Sequence, residues 1–480
     1  MAMHAPYDTD ATLAVARQLW DQGDIERSEP MLRDLVAREP AREDIGLLLA
    51  TLHQSQGRLG AASQTMYDLC EANAFAPALG LRAAQFIQNC SRQPLAAQLC
   101  DAVLSSGPRT AELCVVAGNI AREEGYFDKA RALYTEALEA GVDLNRWFVL
   151  GALAHTMRYT DAGHPDVARM SAHFNDGSYA PRSRAATGFG LAKALDDIGD
   201  YDAAAQTLRT ANALVRSVLT WSASAWDAAI ESRLSESILR LPRAAQPNFI
   251  PVFIVGLPRS GTTLLATHLA RQTGARDRGE LRMLRFIADR LASGGHLGDP
   301  EAILEAAEWY RMHAVQDDAP AVAYIDQDPL NFRNLRYIEA LWPHARIVHC
   351  RRNRRDTALS LWSQDFANAE SAFAYDFADI ARYSDGHDRL MRQWKNRLSV
   401  PTHTIDYERF VADPFECLRT LAAALDLPQP AVAPGDSRDA PIGSASVWQA
   451  RQPIHASSVE RWRNYAPFVK ELTGLPSASD

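Results

Sequence analysis

The sequence predicts a two-domain protein, an all-α helical array followed by an α/β domain built on a parallel sheet. Three observations carry that prediction. Glycines recur at a spacing of 34 residues through the first half. A stretch with two prolines, Leu241 to Asn248, then interrupts helical periodicity. Beyond it, short apolar runs alternate with helical stretches, as strands do when they cross over through helices. The predicted division is 1–240 for the array, 241–248 for the linker and 249–480 for the α/β domain.

The array is read from its turns. Gly23, Gly57 and Gly125 stand 34 and twice 34 residues apart, and Ser91 fills the missing place. Five positions after each comes a small residue: Ser28, Ala62, Ala96 and Ala130. A further unit begins at Gly199, with Ala204 in the same role. Glycine permits the tight turn between two helices, and the small residue lets them approach closely. Pro40 and Pro108 fall where a second helix should stop. The period and spacing resemble the tetratricopeptide repeat, a helix–turn–helix unit. Residues 145–184 depart from the pattern and predict a distorted repeat with a longer loop.

Bulk properties bound the rest. A chain of 480 residues can bury two or three cores, and 47% hydrophobic with 23% charged residues is the composition of an ordered protein. The net charge of −9 gives no reason to expect a nucleic-acid partner. Charge is local: Arg346, Arg351, Arg352, Arg354 and Arg355 crowd one stretch, which suits a small anionic ligand. The N-terminus lacks a basic n-region and an apolar h-region, and no run approaches the ~20 apolar residues of a membrane span. Six cysteines without a CxxC pair predict reduced, buried thiols and a cytoplasmic setting. Thirteen histidines without HxxxH or HExxH spacing predict no metal site.

In the second half, apolar runs at Val252–Val255, Val322–Ile325, Ile347–Cys350 and His403–Ile405 read as buried strands. Helices are expected near 262–272, 300–316, 332–342, 354–366 and 388–397. After the first strand comes Gly256-Leu257-Pro258-Arg259-Ser260-Gly261-Thr262-Thr263, with the GxxxxG spacing of a P-loop. Such a loop cradles phosphate with backbone N–H groups and the positive end of the following helix. Thr262 occupies the place where a nucleotide triphosphatase carries lysine, which points away from ATP hydrolysis. A second strand ends at Arg351-Arg352, with Ser360 two turns along the next helix. An arginine and a hydroxyl so placed grip a second phosphate. Two phosphate sites imply a nucleotide phosphorylated at both ends.

Phe253 to Thr263, joined with Arg352 and Ser360, resembles the two donor motifs of the sulfotransferases. Asp326-Gln327-Asp328-Pro329-Leu330-Asn331-Phe332, Asp406-Tyr407-Glu408-Arg409-Phe410, Trp448-Gln449-Ala450-Arg451-Gln452-Pro453 and Ser457-Ser458-Val459-Glu460-Arg461-Trp462 follow in the family's order, and the likeness spans roughly 250–466. It is greatest to the branch that includes protein-tyrosine sulfotransferases, notably its tetratricopeptide-bearing bacterial members.

The resemblance implies the donor 3′-phosphoadenosine-5′-phosphosulfate (PAPS), the product 3′,5′-ADP (PAP) and no metal. It implies that Pro258, Arg259, Ser260, Gly261, Thr262 and Thr263 hold the 5′-phosphosulfate, and Arg352 and Ser360 the 3′-phosphate. Tyr407 aligns with a residue near the adenine, and Ser446 and Arg461 with further donor contacts. Glu280 aligns with the catalytic base and Arg282 with a substrate-contacting arginine; Arg259 is the second catalytic candidate. The family's lysine is replaced by Gln327, which brings a hydrogen bond but no charge. The acceptor is a hydroxyl, with peptidyl tyrosine, glycans and small molecules as candidates. The array is a candidate site for recruiting a protein acceptor, and a second copy of the chain a candidate partner. Two other readings stand beside this one. The first is a PAP-binding scaffold with a decayed centre; the second, a P-loop kinase, is opposed by Thr262 and by the lack of an acidic strand end for Mg²⁺.

Overall fold

A computed structural model describes residues 8–236, 249–295, 299–366, 368–430, 454 and 456–476. Its contacts fall into two compact units, Met1–Val142 with Arg311–Ala319, and Asp143–Tyr310 with Pro320–Asp480. The helices from Asp143 to Ser235 therefore group with the sheet. The change of sequence grammar at 241–248 lies outside the described residues.

The first unit is four helix pairs: α1 (Thr9–Asp21) with α2 (Ile25–Arg38), α3 (Glu43–Ser55) with α4 (Leu59–Ala72), α5 (Pro77–Asn89) with α6 (Gln93–Ser106), and α7 (Ala111–Glu123) with α8 (Phe127–Glu139). Each pair turns through one left-handed residue, Gly23 (φ 81°), Gly57 (68°), Ser91 (56°) or Gly125 (84°). Ser91 carries a Cβ there, at a cost on the order of 1 kcal/mol. Ser28, Ala62, Ala96 and Ala130 are fully buried where the second helix meets the first. The Ser28 hydroxyl is satisfied by donating to the Ala16 carbonyl at 2.8 Å. Helices α2 and α6 stop two residues before Pro40 and Pro108, as the spacing predicts. In the same unit the Asp317 carboxylate accepts the N–H groups of Gly60 and Ala61, at 2.8 and 2.7 Å, capping α4.

The second unit opens with α9 (Leu144–Trp147) and α10 (Val149–Ala154), broken by left-handed Phe148 (φ 47°). Residues 155–164 then form a loop before α11 (Pro165–Asn175), so the expected distortion is a broken helix plus that loop. Next come α12 (Pro181–Ile198) and α13 (Tyr201–Arg216), turning at Gly199 (φ 90°), and α14 (Ala223–Ser235).

The sheet domain runs β1 (Pro251–Gly256), α15 (Thr262–Thr273), β2 (Arg276–Asp277), α16 (Met283–Ser293), α17 (Pro300–Val315), β3 (Tyr324–Asp326), α18 (Leu335–Leu341), β4 (Arg346–Arg351), α19 (Arg354–Trp362), α20 (Phe377–Arg397), β5 (Thr402–Asp406), α21 (Tyr407–Ala412) and α22 (Pro414–Ala424). All five strands are parallel, in the order β2-β3-β1-β4-β5. Every residue of β1 is buried because strands flank it on both sides, which is why its sequence is continuously apolar. Leu265, Leu269, Val348, Phe410, Leu418 and Leu421 pack with it into one core. The chain steps outward from β1 to β2, returns through β3 and crosses to β4. Strand direction of travel thus reverses around β1, and ligands of such sheets sit beyond the carboxyl ends at that reversal. Two-residue β2 is too short to leave a periodic signal, and the helix expected at 388–397 is the second half of α20. Among the described residues no helix is long and apolar enough to cross a membrane. All six cysteines are buried and none is paired.

Candidate functional site

The loop after β1 is shaped by its neighbours. A Cβ on Gly256 would lie 2.5 Å from the Cys350 carbonyl of β4, and one on Gly261 would lie 2.6 Å from a ring carbon of Tyr407. Gly261 (φ 101°) is also left-handed, in a region that side-chain-bearing residues rarely adopt. Glycine is required twice over at that position. Gly261→Ala is therefore expected to destabilise the fold by more than about 1 kcal/mol, read as a lower urea midpoint. An unchanged midpoint would show that the Tyr407 ring and the loop backbone both yield freely.

Arg259 is left-handed as well (φ 73°) and, unlike glycine, needs contacts to hold it there. Two of them come from the second arginine motif. Its Nε donates to the Ser360 hydroxyl at 3.0 Å, and its carbonyl accepts from Arg352 at 3.0 Å. The motifs at the ends of β1 and β4 are thus one assembly. The Arg352 guanidinium lies 4.6 Å from the Tyr407 ring centroid and donates to the Ser458 carbonyl at 2.7 Å. Ser260 is buried, and neither its hydroxyl nor Arg352 Nε has a hydrogen-bond partner among the described residues. Buried polar atoms of this kind are costly unless something meets them. Thr262 and Thr263, also buried, open α15 beside them. Burial, and then the charges of Arg352 and Arg461, bring the Arg259 pKa down to about 10, so it stays cationic at neutral pH. The cluster of guanidiniums is an anion-seeking one.

Neighbouring strand ends supply carboxylates. After β2 the chain turns at Gly279 (φ 68°), whose N–H is held by Asp277 at 2.9 Å. Its carbonyl accepts the Gln327 N–H at 2.9 Å, tying this turn to the end of β3. Glu280 follows. Crowding by protein, and then the charge of Asp328, push its carboxyl up to about 7, while Arg282 and Arg259 pull it back. Water still reaches the Glu280 side chain, so burial weighs less on it than on Asp326. The upward direction holds because Asp328 adds its charge. Arg282 is exposed at the start of α16, two residues on. Among the described residues no group of three or more His, Cys, Asp or Glu side chains is placed to hold a metal ion.

Residues 251–431 match the sulfotransferase family, and residues 111–140, which span α7 and α8, match the tetratricopeptide repeat. The sheet domain is a sulfotransferase-family domain. It follows an array of tetratricopeptide type. The chain is 30% identical over 319 residues to an uncharacterised protein of Aquifex aeolicus, covering 62% of this chain and 42% of that one. It is 24% identical over 250 residues to protein-tyrosine sulfotransferase 1 of Danio rerio, covering 45% of this chain and 66% of that protein. The chain thus spans less than two thirds of the length of either relative. Among solved structures, that of Naa15/Naa10 bound to HypK-THB aligns over 86% of this chain and 62% of its own at 14% identity, with a TM-score of 0.31, too low to carry an argument.

In the sulfotransferase domain, Arg259, Ser260, Arg352, Ser360 and Tyr407 stand together at the ends of β1, β4 and β5. Glu280 and Gln327 stand at the ends of β2 and β3, within electrostatic reach of Arg259 in the case of Glu280. Arg461 pairs with Asp196 of α12 at 2.8 Å. Ser446 and the Trp448–Pro453 motif lie outside the described residues. Two positioning acids escaped the sequence reading. Asp356 in α19 accepts the N–H groups of Glu460 and Trp462 at 2.7 and 2.9 Å, fixing the segment that carries Arg461. Asp326, buried at the end of β3, accepts from Tyr310, Asn331, Asp328 and Leu281, the last at 3.2 Å, so it sets the peptide after Glu280. Both acids act on backbone far away in sequence. Only the Asp326-Gln327-Asp328 triplet signalled either.

Proposed function

We propose that this protein transfers a sulfuryl group from PAPS to an acceptor hydroxyl, with peptidyl tyrosine as the favoured acceptor. The observation that carries the proposal is the junction of Arg259, Ser360 and Arg352, beside the unpartnered Ser260 hydroxyl. Ser260 and the loop N–H groups suit the 5′-phosphosulfate, and Arg352 with Ser360 suits the 3′-phosphate. Glu280 takes the acceptor proton as the hydroxyl oxygen bonds to sulfur. The bond from sulfur to the bridging oxygen breaks, and 3′,5′-ADP leaves with that electron pair. Transfer of this kind depends on alignment and on offsetting charge, which Arg259 supplies.

The likeness to protein-tyrosine sulfotransferase 1 supports tyrosine as acceptor, and the repeat array supports a protein one, since arrays of this kind bind extended peptides. Unpaired buried thiols support a reducing, cytoplasmic setting. One observation favours a second reading, a PAP-binding scaffold of weak activity: Gln327 stands where the family has lysine.

Incubation with radiolabelled PAPS and a panel of tyrosine peptides, glycans and phenols decides between them. Transfer with 3′,5′-ADP release is expected; tight 3′,5′-ADP binding without transfer selects the scaffold, and preference for ATP overturns both. In calorimetry, Arg352→Ala should weaken 3′,5′-ADP binding by about 1.5–3 kcal/mol, the scale of a charged hydrogen bond. Unaltered affinity removes Arg352 from the donor site.

A further inference from the structure

We propose that Asp196, on helix α12 and outside the sulfotransferase match, is a positioning residue of the donor site acting through Arg461. The inference rests on the PAPS reading above and on the family likeness that aligns Arg461 with a donor contact.

Asp196 lies in the last turn of α12, where a negative charge opposes the helix dipole. Helix formation alone therefore disfavours an acid here. What its carboxylate does instead is specific: one oxygen accepts the Tyr465 hydroxyl at 2.7 Å and pairs with Arg461 at 2.8 Å. The two side chains of the pair are only 18% and 28% exposed. The Tyr465 ring lies 5.7 Å from the same guanidinium and packs edge-on against Tyr201 of α13.

Arg461 needs such a hold. It shares its surroundings with Arg259 and Arg352, and each of those guanidiniums feels its charge. Three like charges repel, and a long side chain so placed swings away unless an anion holds it. Asp196 provides that anion. The backbone is held too, since Asp356 accepts the N–H groups of both residues flanking Arg461. Glu460, immediately before it, is left-handed (φ 56°), a strained setting that aims the next side chain. Arg461 is thus fixed at its main chain by α19 and at its tip by α12. Ordering it in advance removes part of the cost of ordering it when the donor binds.

The opposite sign is the natural objection, because a carboxylate near a phosphate repels it. Asp196 contacts the guanidinium directly, so the pair presents less net charge to the phosphate but a fixed donor geometry. On this proposal fixed geometry outweighs the repulsion, because ordering the guanidinium in advance lowers the cost of binding.

The test is calorimetric titration of the full chain with 3′,5′-ADP, for wild type, Asp196→Asn, Arg461→Ala and the double variant. Asp196→Asn should weaken binding about tenfold. The double variant should bind no more weakly than Arg461→Ala alone, because a residue acting through another adds nothing once that other is gone. A generally loosened fold would make the two losses additive. Asp196→Glu should recover part of the affinity, and Tyr465→Phe, a gentler change, should lose a smaller share should Asp196→Asn fold poorly. Wild-type or tighter binding by Asp196→Asn, or additive losses, overturns the proposal while leaving Arg461 in the donor site. Undiminished binding by Arg461→Ala removes Arg461 from the donor site and the proposal with it.

Discussion

Replacing Glu280 by glutamine is expected to lower kcat by about 10²–10⁴-fold while 3′,5′-ADP binds as before. The side chain follows the Gly279 turn, with its next peptide N–H held by Asp326, so its aim is set by strand ends rather than by its own rotamer. Its carboxyl feels the charges of both Arg259, in the loop after β1, and Arg282, at the start of α16. The protein packed around it and the charge of Asp328 raise it above the usual carboxylate range, the direction that suits a base working at neutral pH. The sign of the pH dependence follows. Only the ionised carboxylate accepts a proton, so kcat/KM should rise with pH through about 7 and level off above it. Glu280→Gln should be slow and flat across that range. A wild-type profile with no inflection between pH 6 and 8, or a variant that turns over normally, would assign the proton to another group.

How much of this was legible in the residues depends on the range of the interaction. The left-handed turns at Gly23, Gly57 and Gly125 are local, so their spacing gave the array away, and Ser91 could be placed by register alone. The loop after β1 was legible for the same reason: Gly256 and Gly261 are demanded by a fixed loop geometry. Tyr407, which imposes part of that demand, was found only through family likeness. Asp356, Asp326 and Asp196 are a different case. Each accepts at least one hydrogen bond from a group distant in sequence, 45 residues away for Asp326 and Leu281, 106 for Asp356 and Trp462, and 269 for Asp196 and Tyr465. In sequence they read as a first-turn acid, a strand-end acid and an unremarked helix residue. The grouping of α9–α14 with the sheet is likewise a matter of packing, which repeat spacing does not encode.

Gln327→Lys is the change expected to raise activity, by about 10²-fold or more in kcat. Gln327 is buried, and its N–H is bound to the Gly279 carbonyl, so its Cα is fixed beside the turn that carries Glu280. Its side chain is poorly served. The amide nitrogen lies 3.5 Å from Asp277, at the outer limit of a hydrogen bond, and the amide oxygen has no partner among the described residues. Burial meanwhile brings Asp277 up to about 6. A lysine here finds a carboxylate ready to balance it: pairing should draw the Asp277 pKa down and keep the ammonium protonated. The cost of burying a lone cation is thereby reduced, so folding should survive the change, as thermal unfolding will report. A fixed positive charge then offsets the charge that develops on the bridging oxygen as sulfur departs. That gain belongs to the transition state, so it should appear in kcat with little change in the acceptor KM. If kcat stays flat in a well-folded Gln327→Lys protein, residue 327 does not face the leaving oxygen, and the case for a weakened centre loses its motive.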